Sequence, residues 1–172
     1  MMRFFSRQWH SSESQDAQDR VVRKYYDSHL PSVLPKLSPP FRQLALGVTA
    51  DNSTLDLHDA LIRHITVDHQ AASLEVALRI GDQQVGYSDF DIKYSEVEGL
   101  AGLQGELSRI VHDQDTELLY DEVDITTQGQ SVHRILFWPY QEIEVVFEEM
   151  TWTQAPTKGR EFERPADPIF VK

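Results

Sequence analysis

The sequence predicts an α+β fold in which N-terminal helices precede an antiparallel sheet of about six strands, arranged as two β-meanders with an intervening helix. Three observations carry this expectation. Apolar residues recur every three to five positions before residue 55 and every two positions over most of the chain from there to residue 147, and the two-residue runs are joined by short polar segments of turn length. The third is size: 172 residues, 40% hydrophobic and 26% charged, suit a packed core, because folding removes roughly 70% of the unfolded surface from water at this length. The chain is divided accordingly into residues 1–54 (helical segment and Pro-rich connector), 55–153 (β-rich domain with an internally duplicated meander) and 154–172 (polar tail).

The opening RFFSRQW reads as a short edge strand or a packed extended segment. Over residues 12–30 a helical period runs through Ala17, Val21, Tyr25 and then His29 or Leu30. Glu13, Asp16 and Asp19 stand early and Arg20, Arg23 and Lys24 later, the order the helix dipole favours. Pro31 is expected to stop this helix, and PSVLPKLSPP, with four prolines in ten residues, to be an extended connector. From Pro40 a short helix carries Phe41, Leu44, Ala45 and Val48 on one side and weakens at Gly47; residues 50–54 read as a turn.

The first meander is expected from three runs. Leu61, Ile65 and Val67 share a face with Arg63 interrupting; Leu74, Val76, Leu78 and Ile80 alternate without error; Phe90, Ile92 and Tyr94 alternate with Asp89, Asp91 and Lys93. Leu100, Leu103, Leu107, Ile110 and Val111 then mark a helix able to cover one sheet face. The second meander comprises Leu119, Val123 and Ile125, an apolar run over 131–138 broken only by His133 and Arg134, and Ile143, Val145 and Phe147 among glutamates. The tail is expected to be an extended arm anchored by Ile169, Phe170 and Val171.

Charge narrows the classes of function. Residues 1–50 carry a net +3, 51–100 a net −7, 101–150 a net −9 and 151–172 a net +1, which sum to −12. Such a middle region repels nucleic-acid backbones and anionic membranes and attracts a basic protein. Zero cysteines exclude disulfides and thiolate metal sites within these residues and suit a reducing compartment. No apolar stretch has the length of a signal-peptide core or a spanning helix, so a cytoplasmic location is expected.

The stretch LHDALIRHITVDHQAASLEVALRI, with Leu57, His58, Asp59 and Ala60 at its head, and the later LLYDEVDI and SVHRILFWPYQEIEVVFEEM resemble an uncharacterised bacterial domain family in which Leu-His-Asp-Ala opens a β-meander. The similar region covers roughly residues 55–152. The family is related in appearance to immunity proteins that neutralise polymorphic toxins, so the resemblance implies a binding role and brings no catalytic residue set.

Two clusters invite chemistry. His58, Asp59, His64, Asp68 and His69 offer the imidazole and carboxylate donors of a cysteine-free metal site, with three histidines in twelve residues. Strand alternation sends His64 and Asp68 away from Leu61, Ile65 and Val67, and no HExxH is present, so no metal ligand is assigned. His58 and Asp59 are read as structural, Asp59 capping the entry to the first strand and His58 bonding a neighbouring segment. The pairs Asp89/Asp91 and Glu142/Glu144 are read as solvated stripes, since general acids need a drier setting. Gly86, Gly99, Gly102 and Gly105 match no phosphate-cradling loop and there is no GxSxG, so no cofactor and no catalytic residue is assigned.

The leading expectation is a non-enzymatic protein-binding domain of the immunity type. It occludes a basic toxin or nuclease through acidic strand faces at 115–124 and 142–149, with Asp121, Glu122, Asp124, Tyr140, Glu142, Glu144 and Glu148 as contact residues. Among the aromatics there, Phe147 and at least one of Trp138 and Trp152 are expected in the core and Tyr140 outside. The rivals are a metal-dependent hydrolase centred on His58, Asp59 and His64, and a structural homo-oligomer, most simply a homodimer, joined through a sheet edge.

Overall fold

The N-terminal helices are short and capped by serines. In this computed structural model, which describes residues 1–172 apart from Ala50, Asn52, Gln114 and Tyr140, α1 (Arg7–His10) begins with the Ser6 hydroxyl accepting from the Trp9 N–H. Likewise α2 (Gln15–Arg23) begins with Ser14 accepting from Ala17. The chain then stays helical through a π-helical stretch (Lys24–His29), α3 (Leu30–Val33) and a 3-10 turn (Leu34–Lys36). The expected stop at Pro31 does not occur, and residues 31–36 of the expected extended connector are helical. Leu30 and Leu34, the residues before Pro31 and Pro35, keep right-handed helical angles, and the chain runs through both prolines where the helix changes type, from π to α and from α to 3-10. The expected short helix is α4 (Pro39–Leu46), ended by Gly47 in the left-handed conformation at φ +64°.

Among the described residues eight strands come next, against the six or so expected. The first meander is β1 (Ala60–Asp68), β2 (Ser73–Asp82) and β3 (Gly86–Ser95); after α5 (Leu100–His112) the second is β4 (Glu117–Ile125), β5 (Ser131–Phe137) and β6 (Gln141–Phe147). The additional strands are β7 (Glu149–Thr157) and β8 (Ile169–Val171). All lie in one sheet of order β6-β5-β4-β1-β2-β3-β7, with β8 on β1. Every pairing is antiparallel except β8, which runs parallel to β1 through Ile65↔Ile169 to Val67↔Val171. The expected anchor of the tail is thus a strand. β7 escapes a period-two reading because it is an edge strand, polar along much of its length, where Pro156 costs no ladder bond.

The two meanders touch sparingly. Among the described residues β1 pairs with β4 at Ala60↔Leu118 and Leu61↔Glu117, and further along the same edge Ile65, Thr66 and Val67 pair with β8. At the far ends of the sheet, β6 and β7 are separated only by Glu148. The two outermost strands are therefore successive pieces of chain, which requires the sheet to curl strongly. At that corner Glu148 N–H donates to Ser95 O (3.3 Å) and Glu98 N–H to Val146 O (2.9 Å). The β2–β3 hairpin depends on Gly81, at φ +99°, where a Cβ would lie 2.0 Å from the Gly86 carbonyl oxygen.

Burial follows the expected alternation in β3 and β6; in β2 it does so only to Val76, since Ala77 and Arg79 are buried as well, and in β1 it changes parity. A bulge between Ile62 and His64 changes the parity, so Ala60 and Ile62 face inward before it and Ile65 and Val67 after it. Leu61 therefore does not share the face of Ile65 and Val67. Inside the curl, the Phe41 ring packs edge-on against Phe147 (5.1 Å) and His133 (5.6 Å), and Tyr94 against Phe147 (5.0 Å). α5 packs on β1, β6 and β8 with Leu107, Ile110 and Val111 buried, and so bridges the meanders.

The outer face of the first meander is covered by the tail. Arg79, 6% exposed, donates to Asp89 (2.8 Å) and to the carbonyls of Gly159 and Glu161, and its guanidinium lies 5.2 Å from the centre of the Phe162 ring. Arg63 meets both Asp89 (3.2 Å) and Asp91 (3.1 Å), so this carboxylate stripe is paired, not simply solvated. Among the described residues no helix is long and apolar enough to cross a membrane.

Candidate functional site

The acidic strand face of the second meander is built on cross-strand neighbours. Glu122, Arg134 and Glu144 stand side by side on β4, β5 and β6. Arg134, 4% exposed, donates to Asp124 (3.0 Å) and Glu144 (2.6 Å) and lies 3.7 Å from Glu122. The first residues of the chain lie across this face. Glu122 accepts the backbone N–H groups of Arg3, Phe4 and Phe5, Glu142 those of Met2 and Arg7, and Asp124 the Arg3 guanidinium. The expected solvent-facing platform is thereby corrected: Glu122 is 1% and Asp124 4% exposed. An apolar N-terminal segment with spare backbone donors outcompetes water for carboxylates already focused by a buried arginine. Glu144 stays partly open, Glu148 is exposed between β6 and β7, and Tyr140 lies outside the described residues.

Titration follows this pairing. Burial pushes the Asp124 carboxyl up, but bonds from the Ile125 N–H and Arg134, with the charges of Arg3 and Arg134, outweigh it and hold it below its ordinary value. Glu144 is depressed in the same way, burial being overcome by Arg134 and the Met1 amine.

Asp121 faces the other side of β4 and ends a buried polar chain. The Tyr94 hydroxyl lies 2.7 Å from His133 Nδ1, and His133 Nε2 lies 3.0 Å from Asp121 Oδ2. Tyr94 and His133 are fully buried. A neutral ring satisfies both contacts, accepting from the phenol and donating to the carboxylate. Burial first, and the Asp121 charge second, push the Tyr94 phenol far up. Beside this chain, the free edge of β4 is met by side chains of the π-helical stretch: the Val123 N–H donates to the Tyr25 hydroxyl (3.0 Å), and His29 Nε2 bonds the Val123 carbonyl (2.9 Å).

Two concavities open at this end of the sheet and share Asp56 and His58. The larger, about 520 Å3, carries Asp56, Asp59 and Asp82, with Ser53 and Ser88 among its walls. The smaller, about 250 Å3, has Asp121 and Asp56 among aromatic rings. Among the described residues neither is lined by Lys or Arg.

The predicted histidines do not converge. His58 Nδ1 pairs with Asp59 (3.0 Å) and its ring meets Tyr120; His64 lies against Phe170; His69 bonds Gln104. The entry turn to β1 is held by Asp56, which accepts from the His58 N–H (2.9 Å), while Asp59, at φ +60°, turns its carboxylate to His58. Asp59 therefore does not supply the expected cap. Phe147 is fully buried, Trp152 is half-buried with its indole N–H on Pro40 O (3.1 Å), and Trp138 is 41% exposed.

Sequence reading misses Asp56, Asp82, Trp9, Tyr26 and Tyr120, which come from separate stretches and share no local spacing. For His133 and Arg134 a signal exists: two polar residues interrupt an otherwise apolar run, the mark of groups buried with partners. No family model, no curated protein and no solved structure matches the chain.

Proposed function

We propose that this chain is a non-enzymatic binding protein of the immunity type, which neutralises a basic protein such as a nuclease toxin by covering its cationic groove. The observation that supports the reading is the pair of adjoining concavities in which Asp56, Asp59, Asp82 and Asp121 gather with no Lys or Arg among the described lining residues. The acidic contact surface is thus moved from the strand faces of β4 and β6, where carboxylates hold the chain's own first residues, to this rim. Carboxylates on a concave surface focus a negative field outward and accelerate encounter with a cationic partner. The excess acid of residues 51–150 strengthens the same field at longer range.

The test is co-expression with basic nuclease toxins, beginning with any encoded beside this gene, read as survival and as a complex on size exclusion. Protection that is lost in the triple variant Asp56→Asn, Asp59→Asn, Asp82→Asn supports the reading. Asparagine keeps the Asp56 acceptor and tolerates the left-handed backbone at residue 59. No protection and no complex defeats it.

A further inference from the structure

The smaller concavity is an aromatic box with a charged floor. Its rings are held by one another: Trp9 stands edge-on to Tyr120 (5.0 Å, 84°), Phe5 edge-on to Trp9 (5.1 Å, 64°), and Tyr26 edge-on to Tyr25 (5.0 Å, 82°). The Trp9 indole N–H is committed to Gln18 O (3.2 Å), and the Gln18 amide in turn donates to the carbonyls of Trp9 and Ser12 (3.2 and 3.1 Å). These bonds clamp α1 to α2, so Trp9 offers the box a ring and not a donor. Among the described residues Asp121 bonds the His133 ring and meets no Lys or Arg. Tyr26, Asp56 and Asp121 all line this concavity, and burial first, then the two carboxylate charges, push the Tyr26 phenol up.

We propose that this box receives one arginine side chain of a protein partner. The inference rests on the binding reading above and names its anchor. An apolar side chain entering here would strip water from two carboxylates without replacing it. A lysine ammonium is a strongly hydrated point charge, whereas a guanidinium is planar, weakly hydrated, stacks on aromatic faces and meets carboxylates with parallel N–H donors. Rings on the walls and acid at the base match those properties together, and arginine in an aromatic pocket is the composition of an interface hot spot.

The experiment titrates the capped tripeptide Gly-Arg-Gly, its lysine counterpart and its citrulline counterpart into 15N-labelled protein, following the Trp9 indole N–H. Citrulline keeps the shape of arginine and removes the charge. The arginine peptide is expected to bind saturably with a dissociation constant on the order of millimolar, and the other two more than about tenfold more weakly. Asp121→Asn keeps an acceptor for His133, and a thermal melt checks that it folds; Asp56→Asn, at an exposed position, is the second variant. Both are expected to weaken arginine-peptide binding by at least about tenfold. Equal binding of citrulline, preference for lysine, or no movement of the Trp9 resonance overturns the proposal. An oligolysine titration separates the two readings. If oligolysine shifts the amides of Asp59 and Asp82 while the arginine peptide leaves Trp9 unmoved, the arginine box fails and the acidic rim stands. If the arginine peptide binds but no toxin is neutralised, the box stands and the immunity reading fails.

Discussion

Arg134 is the residue on which the second meander's polar face depends. It sits within 4 Å of Glu122, Asp124 and Glu144, and the first two carboxylates are almost wholly buried. Arg134→Met is therefore expected to lower unfolding free energy by ~3–5 kcal/mol in urea titration, since it strands buried charge. Arg3→Ala, which removes a side chain 59% exposed, is expected to cost at most ~1 kcal/mol. The same network sets an acid limb. Asp124 and Glu144 titrate below their ordinary values of 3.8 and 4.5 in the folded state. Their contribution is complete above those values and is lost as pH falls through the lower folded ones, so stability is expected to be flat from neutral pH to about 5 and to decline below the carboxylate range. Denaturant midpoints at successive pH values check this, and Arg134→Met is expected to flatten the limb. Tyr94→Phe leaves the fully buried His133 Nδ1 without its partner and is expected to cost ~1–3 kcal/mol. None of these geometries is legible from spacing alone, because Tyr94, His133 and Asp121 come from three strands whose register the sequence does not state.

At the scale of elements, periodicity reads the interior well and the edges poorly. The alternation of Leu74, Val76, Leu78 and Ile80 and the spacing of Leu107, Ile110 and Val111 describe β2 and α5, because those residues face the core; the burial of Ala77 and Arg79 on the other face of β2 leaves no such mark. Periodicity misplaces Leu61 in β1 because one extra residue at the bulge reverses parity without changing composition. It misses β7 because that edge strand is polar along much of its length, and β8 because three successive apolar residues are too few to show a period. Proline content misleads over residues 31–36, since Pro31 and Pro35 are accommodated where the continuous helical path changes type. The C-terminal strap has a comparable external cause. Residues 158–164 are tied to the sheet by Arg79 and by Arg164, whose guanidinium donates to Ile62 O (2.6 Å) and Asp113 O (3.2 Å). Arg79→Met is expected to free the strap, raising tryptic cleavage at Lys158 and Arg160 on the order of tenfold. Amide exchange of β2 beyond its Arg79 neighbours is expected to hold, because Leu74, Val76 and Leu78 keep their burial.

For the whole molecule the consequence lies in how charge is divided between internal and external work. The net −12 does not form a uniform coat: the carboxylates at 122 and 124 are engaged inside by Arg134 and the N-terminal residues, and those at 89 and 91 by Arg63 and Arg79. The carboxylates gathered at the mouth of the sheet, where no described lining residue is Lys or Arg, are Asp56, Asp59, Asp82 and Asp121. Rim charges act through solvent over about a Debye length, ~10 Å at 0.1 M salt, so they govern encounter; a charge within an aromatic box acts after contact and governs escape. With a basic partner in surface plasmon resonance, Asp59→Asn with Asp82→Asn is expected to lower the association rate several-fold and to reduce its dependence on ionic strength, leaving dissociation nearly unchanged. Asp121→Asn is expected to do the reverse, raising the dissociation rate by about tenfold or more with little effect on association. If both substitutions acted on the association rate alone, the box would be no more than another part of the rim's field, and the separation of steering from anchoring would fail.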